Sequence, residues 1–172
     1  MSIQIALLRG INVGGHNTLP MAGFRTLLAG LGAQDCKTYI QSGNAVWRGD
    51  LSEAAVSQAI EDEYGFRPNV MIRSRAFWTG AIRACPFPTD DPKALHLFVA
   101  HGAFDTTQDA LNQVAAPDER AQIGTGVVYL HTPAGMSASK IAPRMDRLLC
   151  VPTTARNWRS VMAIRDLAQG LS

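Results

Sequence analysis

Thr38-Tyr39-Ile40-Gln41-Ser42-Gly43-Asn44-Ala45-Val46-Trp47 is the stretch on which the fold turns. Its flanks hold β-branched and aromatic residues and its middle holds turn formers, which predicts two strands joined by a tight connection. On the N-terminal side, Phe24, Leu27, Leu28 and Leu31 recur at i, i+3, i+4, i+7, one face of a helix. Pro20 suits the first turn of that helix, and Gly30 and Gly32 end it. Before it, Ile3 to Leu8 reads as a buried strand that runs into Arg9-Gly10. On the C-terminal side, Ser52 is placed to cap a helix reaching Tyr64, where Gly65 stops it, and Pro68 to Ile72 supplies a short strand. The resulting order, β-α-β-β-α-β, is that of a ferredoxin-like unit, an antiparallel sheet with its helices on one face.

Beyond that unit, Ser74 is placed to cap a helix through Arg83, and the proline-rich segment Pro86 to Pro92 reads as the boundary between halves. A strand from Ala94 to Ala100, a weak helix from Thr106 to Ala115, a strand pair within Gln122 to Leu130 and two helical stretches then follow. The order β-α-β-β-α suggests a second, incomplete copy of the first unit, although no repeat is visible residue by residue. The expectation is therefore an α+β protein of one compact body. It would comprise a ferredoxin-like unit over 1–85 and a related α/β unit with basic helices over 93–172. The last helix would take Thr153 or Thr154 as its cap and carry Trp158, Val161, Met162 and Leu167 along a broad apolar side. Lys140, Arg144 and Arg147 would share one helical face, unless Pro143 opens that helix and leaves Lys140 in a loop.

Composition narrows the class. A chain of 172 residues with 47% hydrophobic content can bury a core without disulfides or metal, and is too apolar to be disordered. No run of eighteen apolar residues occurs, and Ser2 to Arg9 lacks the layout of a secretory signal, so a soluble cytosolic protein without membrane contact is expected. Three cysteines, Cys36, Cys85 and Cys150, show no metal-ligand spacing and read as free thiols of a reducing compartment. No metal and no cofactor are expected, and the chain reads as a monomer or weak homodimer. The formal charge of +2 is uneven: residues 137–172 carry a local excess of four positive charges, enough for a basic region to meet an anion.

No catalytic constellation is legible. Nucleophile-elbow, Walker and dinucleotide-binding patterns are absent, Ser137-x-x-Lys140 is a frequent chance match, and Glu61-Asp62-Glu63 reads as a solvated helix face. His96 and His131 lie near strand ends and could face one another across a sheet. The polar residues gather instead in three segments. Arg9, Asn12, His16 and Asn17 surround Gly14-Gly15, in a strand–loop–helix setting that can present N–H groups to an anion. Gln41, Ser42 and Asn44 exceed what a tight turn needs. Arg156 and Asn157, beside Trp158, would stand at a helix start, where a cation is disfavoured unless an anion joins it.

The strings Leu7-Leu8-Arg9-Gly10-Ile11-Asn12-Val13-Gly14-Gly15-His16-Asn17 and Thr38-Tyr39-Ile40-Gln41-Ser42-Gly43-Asn44 resemble the opening signature of the bacterial family called domain of unknown function 1697. Ser139-Lys140 and Thr154-Ala155-Arg156-Asn157-Trp158, with Val161, resemble its closing signature. The resemblance departs at Pro143, where the relatives read as plain helix. It implies a cytosolic α+β protein with ferredoxin-like units and supplies no activity or cofactor. It also implies that the first loop, the Gln-Ser-Gly-Asn turn and the start of the last helix form one polar region. The expected site is thus Arg9, Asn12, Gly14, Gly15, His16, Asn17, Gln41, Ser42, Asn44, Lys140, Arg156, Asn157 and Trp158. Its expected ligand is an anionic small molecule or nucleic acid. An enzyme with an unrecognised polar site and a protein-interaction module are the alternatives.

Overall fold

The computed structural model describes residues 1–171. They form two units: unit 1 is Met1–Thr79 together with the stretch from Ala163 onward, and unit 2 is Gly80–Met162. Unit 1 runs β1 (Ile3–Arg9), α1 (Met21–Gly30), β2 (Gln34–Tyr39), β3 (Asn44–Arg48), α2 (Glu53–Tyr64) and β4 (Asn69–Ser74). Its sheet has the antiparallel order β2-β3-β1-β4, so the strand pair 38–47 and the flanking strands fall where the sequence places them. Strand β1 is central because Ile5, Ala6, Leu7 and Leu8 are apolar on both faces, and all four are buried. Ala6, Leu8, Ala45, Trp47 and Val70 pack with Phe24 and Leu28 of α1 and Val56 and Ile60 of α2. On the opposite face Ile5, Leu7, Val46 and Met71 are buried as well. No open sheet of exposed aromatics remains for stacking bases.

The local signals act as expected. Ser52 Oγ accepts from the Ala55 N–H at 3.1 Å and caps α2, which ends at Gly65 with φ +79°. Ser74 Oγ accepts from the Phe77 N–H at the start of α3 (Arg75–Arg83), a helix that crosses from unit 1 into unit 2.

Unit 2 contains β5 (Leu95–Ala100), α4 (Gln108–Val114), β6 (Arg120–Ile123), β7 (Val127–His131), α5 (Met145–Leu149) and β8 (Thr153–Asn157). Its sheet order, β6-β7-β5-β8, repeats that of unit 1 position by position. The second copy is therefore complete, and β8 is the strand missing from the sequence reading. The sequence pattern puts the cap of the last helix at Thr153 or Thr154, yet Thr153 to Asn157 pairs with β5 from Ala100 to His96. Two adjacent β-branched threonines favour the strand, and α6 (Trp158–Gln169) takes Asn157 as its cap, whose Oδ1 accepts from the Ser160 N–H at 2.9 Å.

The repeat extends to single residues. The Leu8 N–H donates to the Gly43 carbonyl at 2.8 Å, and the Ala100 N–H donates to the Gly126 carbonyl at 3.0 Å. Gly43 and Gly126 both have positive φ, and each precedes the first residue of its strand. Arg9-Gly10 and His101-Gly102 then follow Leu8 and Ala100 at the same place in each unit, although Arg9 still belongs to β1 and His101 lies just past β5.

A shared helical face for Lys140, Arg144 and Arg147 does not form. Residues 136–149 are two short 3-10 turns and a five-residue helix, with Pro143 inside the second turn and Lys140 in the loop before it.

Candidate functional site

At one end of the unit 1 sheet, the loop after β1 and the β2–β3 turn lie side by side. The loop is a miniature hairpin: the His16 N–H donates to the Val13 carbonyl at 3.0 Å, and the Asn12 N–H to the Asn17 carbonyl at 3.1 Å. Gly14 and Gly15 form its two-residue tip with φ +58° and +76°, the sign a type I′ turn demands at both positions. This tip is a protruding turn rather than the concave cradle of a phosphate loop.

The asparagines hold the backbone. Asn12 Nδ2 donates to the Leu19 carbonyl at 2.9 Å and to the Gln41 carbonyl at 2.8 Å, and its Oδ1 accepts from the Leu19 N–H. Asn17 Nδ2 donates to the Gly10 carbonyl at 3.0 Å. Asn44, buried, donates from Nδ2 to the Tyr39 carbonyl and to Ser42 Oγ, both at 3.0 Å. The first loop and the Gln41–Asn44 turn thus meet through Asn12, as the sequence led us to expect. Asn12, Asn17 and Ile40 all hold positive φ, three of the five non-glycine residues that do so among the described residues. An isoleucine in that region costs about 1–3 kcal/mol and needs a surrounding structure that imposes it. Arg9, His16 and Gln41 are exposed at this end, together with Val13 at 66% and Ile40 at 51%. Residues 2–34 contain no carboxylate.

The remaining candidates belong to unit 2. Lys140 is exposed, with its N–H donating to Glu119 Oε2 at 3.1 Å. Arg156 lies in β8, opposite Leu97, and donates from its guanidinium to the Ala155 carbonyl at 2.8 Å. Arg156 therefore stands within a strand and not at a helix start, where a cation would call for an anion. Burial lowers its pKa to about 10, which leaves it charged at neutral pH. Asn157 is a cap, and Trp158 is buried as the first residue of α6.

Glu119 belongs to no motif of the sequence. This buried carboxylate accepts from the N–H groups of Ala116 at 3.0 Å, Lys140 at 3.1 Å and Ile141 at 3.4 Å, and from the Ser139 hydroxyl. Four donors from two segments converge on it, so it fastens the 139–141 loop to the approach to β6. No spacing in the sequence signals that role. His96 and His131 do not face one another: His96 pairs with Leu130 and His131 with Leu95, so they lie on opposite faces of the sheet. Among the described residues, no group of His, Cys, Asp or Glu could hold a metal ion, and no helix is long and apolar enough to cross a membrane.

The fold and this loop end define an α+β protein of two ferredoxin-like units, the first closed by an asparagine-braced pair of turns. Residues 1–129 match the family described as "Protein of unknown function (DUF1697)", and the chain belongs to it. Among solved structures it is similar to the conserved bacterial protein SP0830 from Streptococcus pneumoniae. The two share 22% identity and a TM-score of 0.71 over 97% of this chain and 98% of that one. That likeness establishes the fold. No curated protein matches the chain.

Proposed function

We propose that the protein is a binding module for an anionic, phosphate-bearing ligand, engaged at the loop end of unit 1. The observation that carries this reading is where the polar groups are spent. The amides of Asn12, Asn17 and Asn44 fix two turns in costly left-handed conformations, while Arg9, His16 and Gln41 lie exposed around them. The N–H groups of Gly14 and Gly15 have no partner among the described residues, and no carboxylate of residues 2–34 opposes an anion there. A nucleotide, a phosphate metabolite or a nucleic-acid backbone would suit such a surface. We place the protein in a reducing compartment, a reading supported by its three free thiols.

Titrating the isotope-labelled protein with inorganic phosphate, a nucleotide mixture and a short RNA tests the reading by amide shifts. Saturable, salt-sensitive shifts are expected at Gly14, Gly15, His16 and Gln41, lost in Arg9→Gln. Shifts scattered elsewhere, or an unaltered response in Arg9→Gln, would refute it.

The exposure of Val13 and Ile40 favours a second reading, a protein-contact surface. Under that reading Val13→Ser with Ile40→Thr abolishes capture of a partner, while Arg9→Gln has little effect.

A further inference from the structure

We propose that a cleft in unit 2, lined by Phe87, Asn112, Arg120 and Gln122, binds a planar ring that carries an anionic group. The proposal is independent of the loop end of unit 1 and shares no residue with it. The cleft measures about 540 Å³, a size typical of small-molecule sites. It follows edge strand β6, with the Ala115-Ala116-Pro117 turn forming one wall.

The register of the sheet sets its chemistry. Arg120 pairs with His131 across β6 and β7, so the two side chains project from the same face. The Phe87 ring stacks on the His131 imidazole, with centroids 5.5 Å apart and planes 20° apart. Phe87 is thereby held as a flat, half-buried wall beside Arg120. The Arg120 guanidinium is exposed and makes no ion pair or side-chain hydrogen bond among the described residues, which leaves its planar fork of donors for a ligand.

The amides add one donor and one acceptor. Asn112 Oδ1 is occupied by Gln108 Nε2 at 3.0 Å, which leaves the Asn112 Nδ2 hydrogens available. Gln122 Nε2 donates to the Ile123 carbonyl at 3.3 Å, which leaves Gln122 Oε1 available. Glu119 also lines the cleft, but its oxygens already accept from three N–H groups and the Ser139 hydroxyl. Arg120 is thus the one charged group in the lining with unused hydrogen-bonding capacity. A ring stacked on Phe87, its anionic group on the guanidinium and its polar edge on the amides, uses every feature. A nucleoside monophosphate and an aromatic carboxylate share this chemistry.

Calorimetric titration of the full chain with adenosine 5′-monophosphate and with 4-hydroxybenzoate distinguishes the two sources. Adenosine and ribose 5-phosphate serve as the half-ligands of the first, phenol and acetate as those of the second. One ring-plus-anion probe is expected to bind saturably, at least about tenfold tighter than either half. Arg120→Gln, on an exposed side chain, should weaken that probe about tenfold and leave its neutral half, adenosine or phenol, unchanged. Phe87→Leu, which keeps apolar volume, should weaken both. The proposal is overturned if neither probe saturates at millimolar concentration, or if Arg120→Gln binds like the parent chain.

Discussion

Gly43 is where the backbone leaves least choice. Its φ is +86°, and a Cβ there would lie 2.7 Å from both Leu8 Cβ and Ile11 Cδ1. Gly43→Ala therefore meets a strained backbone and an overpacked core together, for an expected loss of about 2–5 kcal/mol read from urea unfolding. A loss below about 1 kcal/mol would mean the turn can re-form another way. His96 makes a prediction in pH. Its Nδ1 is buried without a hydrogen-bond partner, and burial lowers its pKa below the ordinary 6.5. The unfolded chain then binds the proton more readily. The neutral ring's contribution is complete above pH 6.5 and is lost as pH falls from there through the lowered folded value. Unfolding midpoints at pH 7.5 and 5 should differ, and His96→Leu should narrow that difference; an unchanged pH slope in the variant would refute the assignment. Asn12, Asn17 and Asn44 teach a different lesson. The sequence marked them as surplus polar groups, but donors aimed at backbone carbonyls and donors aimed at a ligand look alike in one dimension. Glu119 was illegible for the converse reason, since its partners come from residues near it in the chain and others about twenty residues away.

Between elements, a small residue sets how α1 meets α2. A Cβ on Gly23 would overlap Tyr64 Oη and lie 3.3 Å from Cζ, in a helix where alanine is otherwise favoured by about 1 kcal/mol. Gly23→Ala should lower the melting temperature, Tyr64→Phe should recover part of it, and the double-mutant coupling should exceed about 0.5 kcal/mol. Strict additivity would place the two residues out of contact. The elements that were legible had punctuation at both ends, such as α2 between Ser52 and Gly65. β8 was hidden because its five residues run directly into α6. The apolar spacing of Trp158, Val161 and Met162 extended backward over Thr153 to Asn157 and masked the strand. The residue-level repeat was hidden because it lies in hydrogen bonds, Leu8 to Gly43 and Ala100 to Gly126, rather than in side-chain identity.

For the whole molecule, topology was more legible than the limits of the parts. Alternating strand and helix signals yield β-α-β-β-α-β whatever the exact ends, and the sheet order then follows from antiparallel neighbours. Nothing in the composition marks that the chain from Ala163 onward rejoins the first unit. There Ile164, Ala168 and Leu171 are buried. Removing residues 163–172 forfeits the burial of Ile164 and Leu171, about 3–6 kcal/mol, a large share of a typical total of 5–15 kcal/mol. A chain ending at Met162 should show rapid hydrogen exchange at the β1 amides, whereas native-like protection would show that unit 1 stands without its last segment.

That return of the chain has a consequence on the ribosome. Domains ordinarily fold as they emerge, N-terminal first, but unit 1 receives its final segment only after residues 80–162 have been made. At about 5–20 residues per second, that interval is roughly 4–17 s. Throughout it, the apolar run Ile5-Ala6-Leu7-Leu8 belongs to a unit that still lacks its last segment. Slow translation lengthens the interval, so yield of intact protein should depend on elongation rate and on chaperones that shield nascent apolar strands.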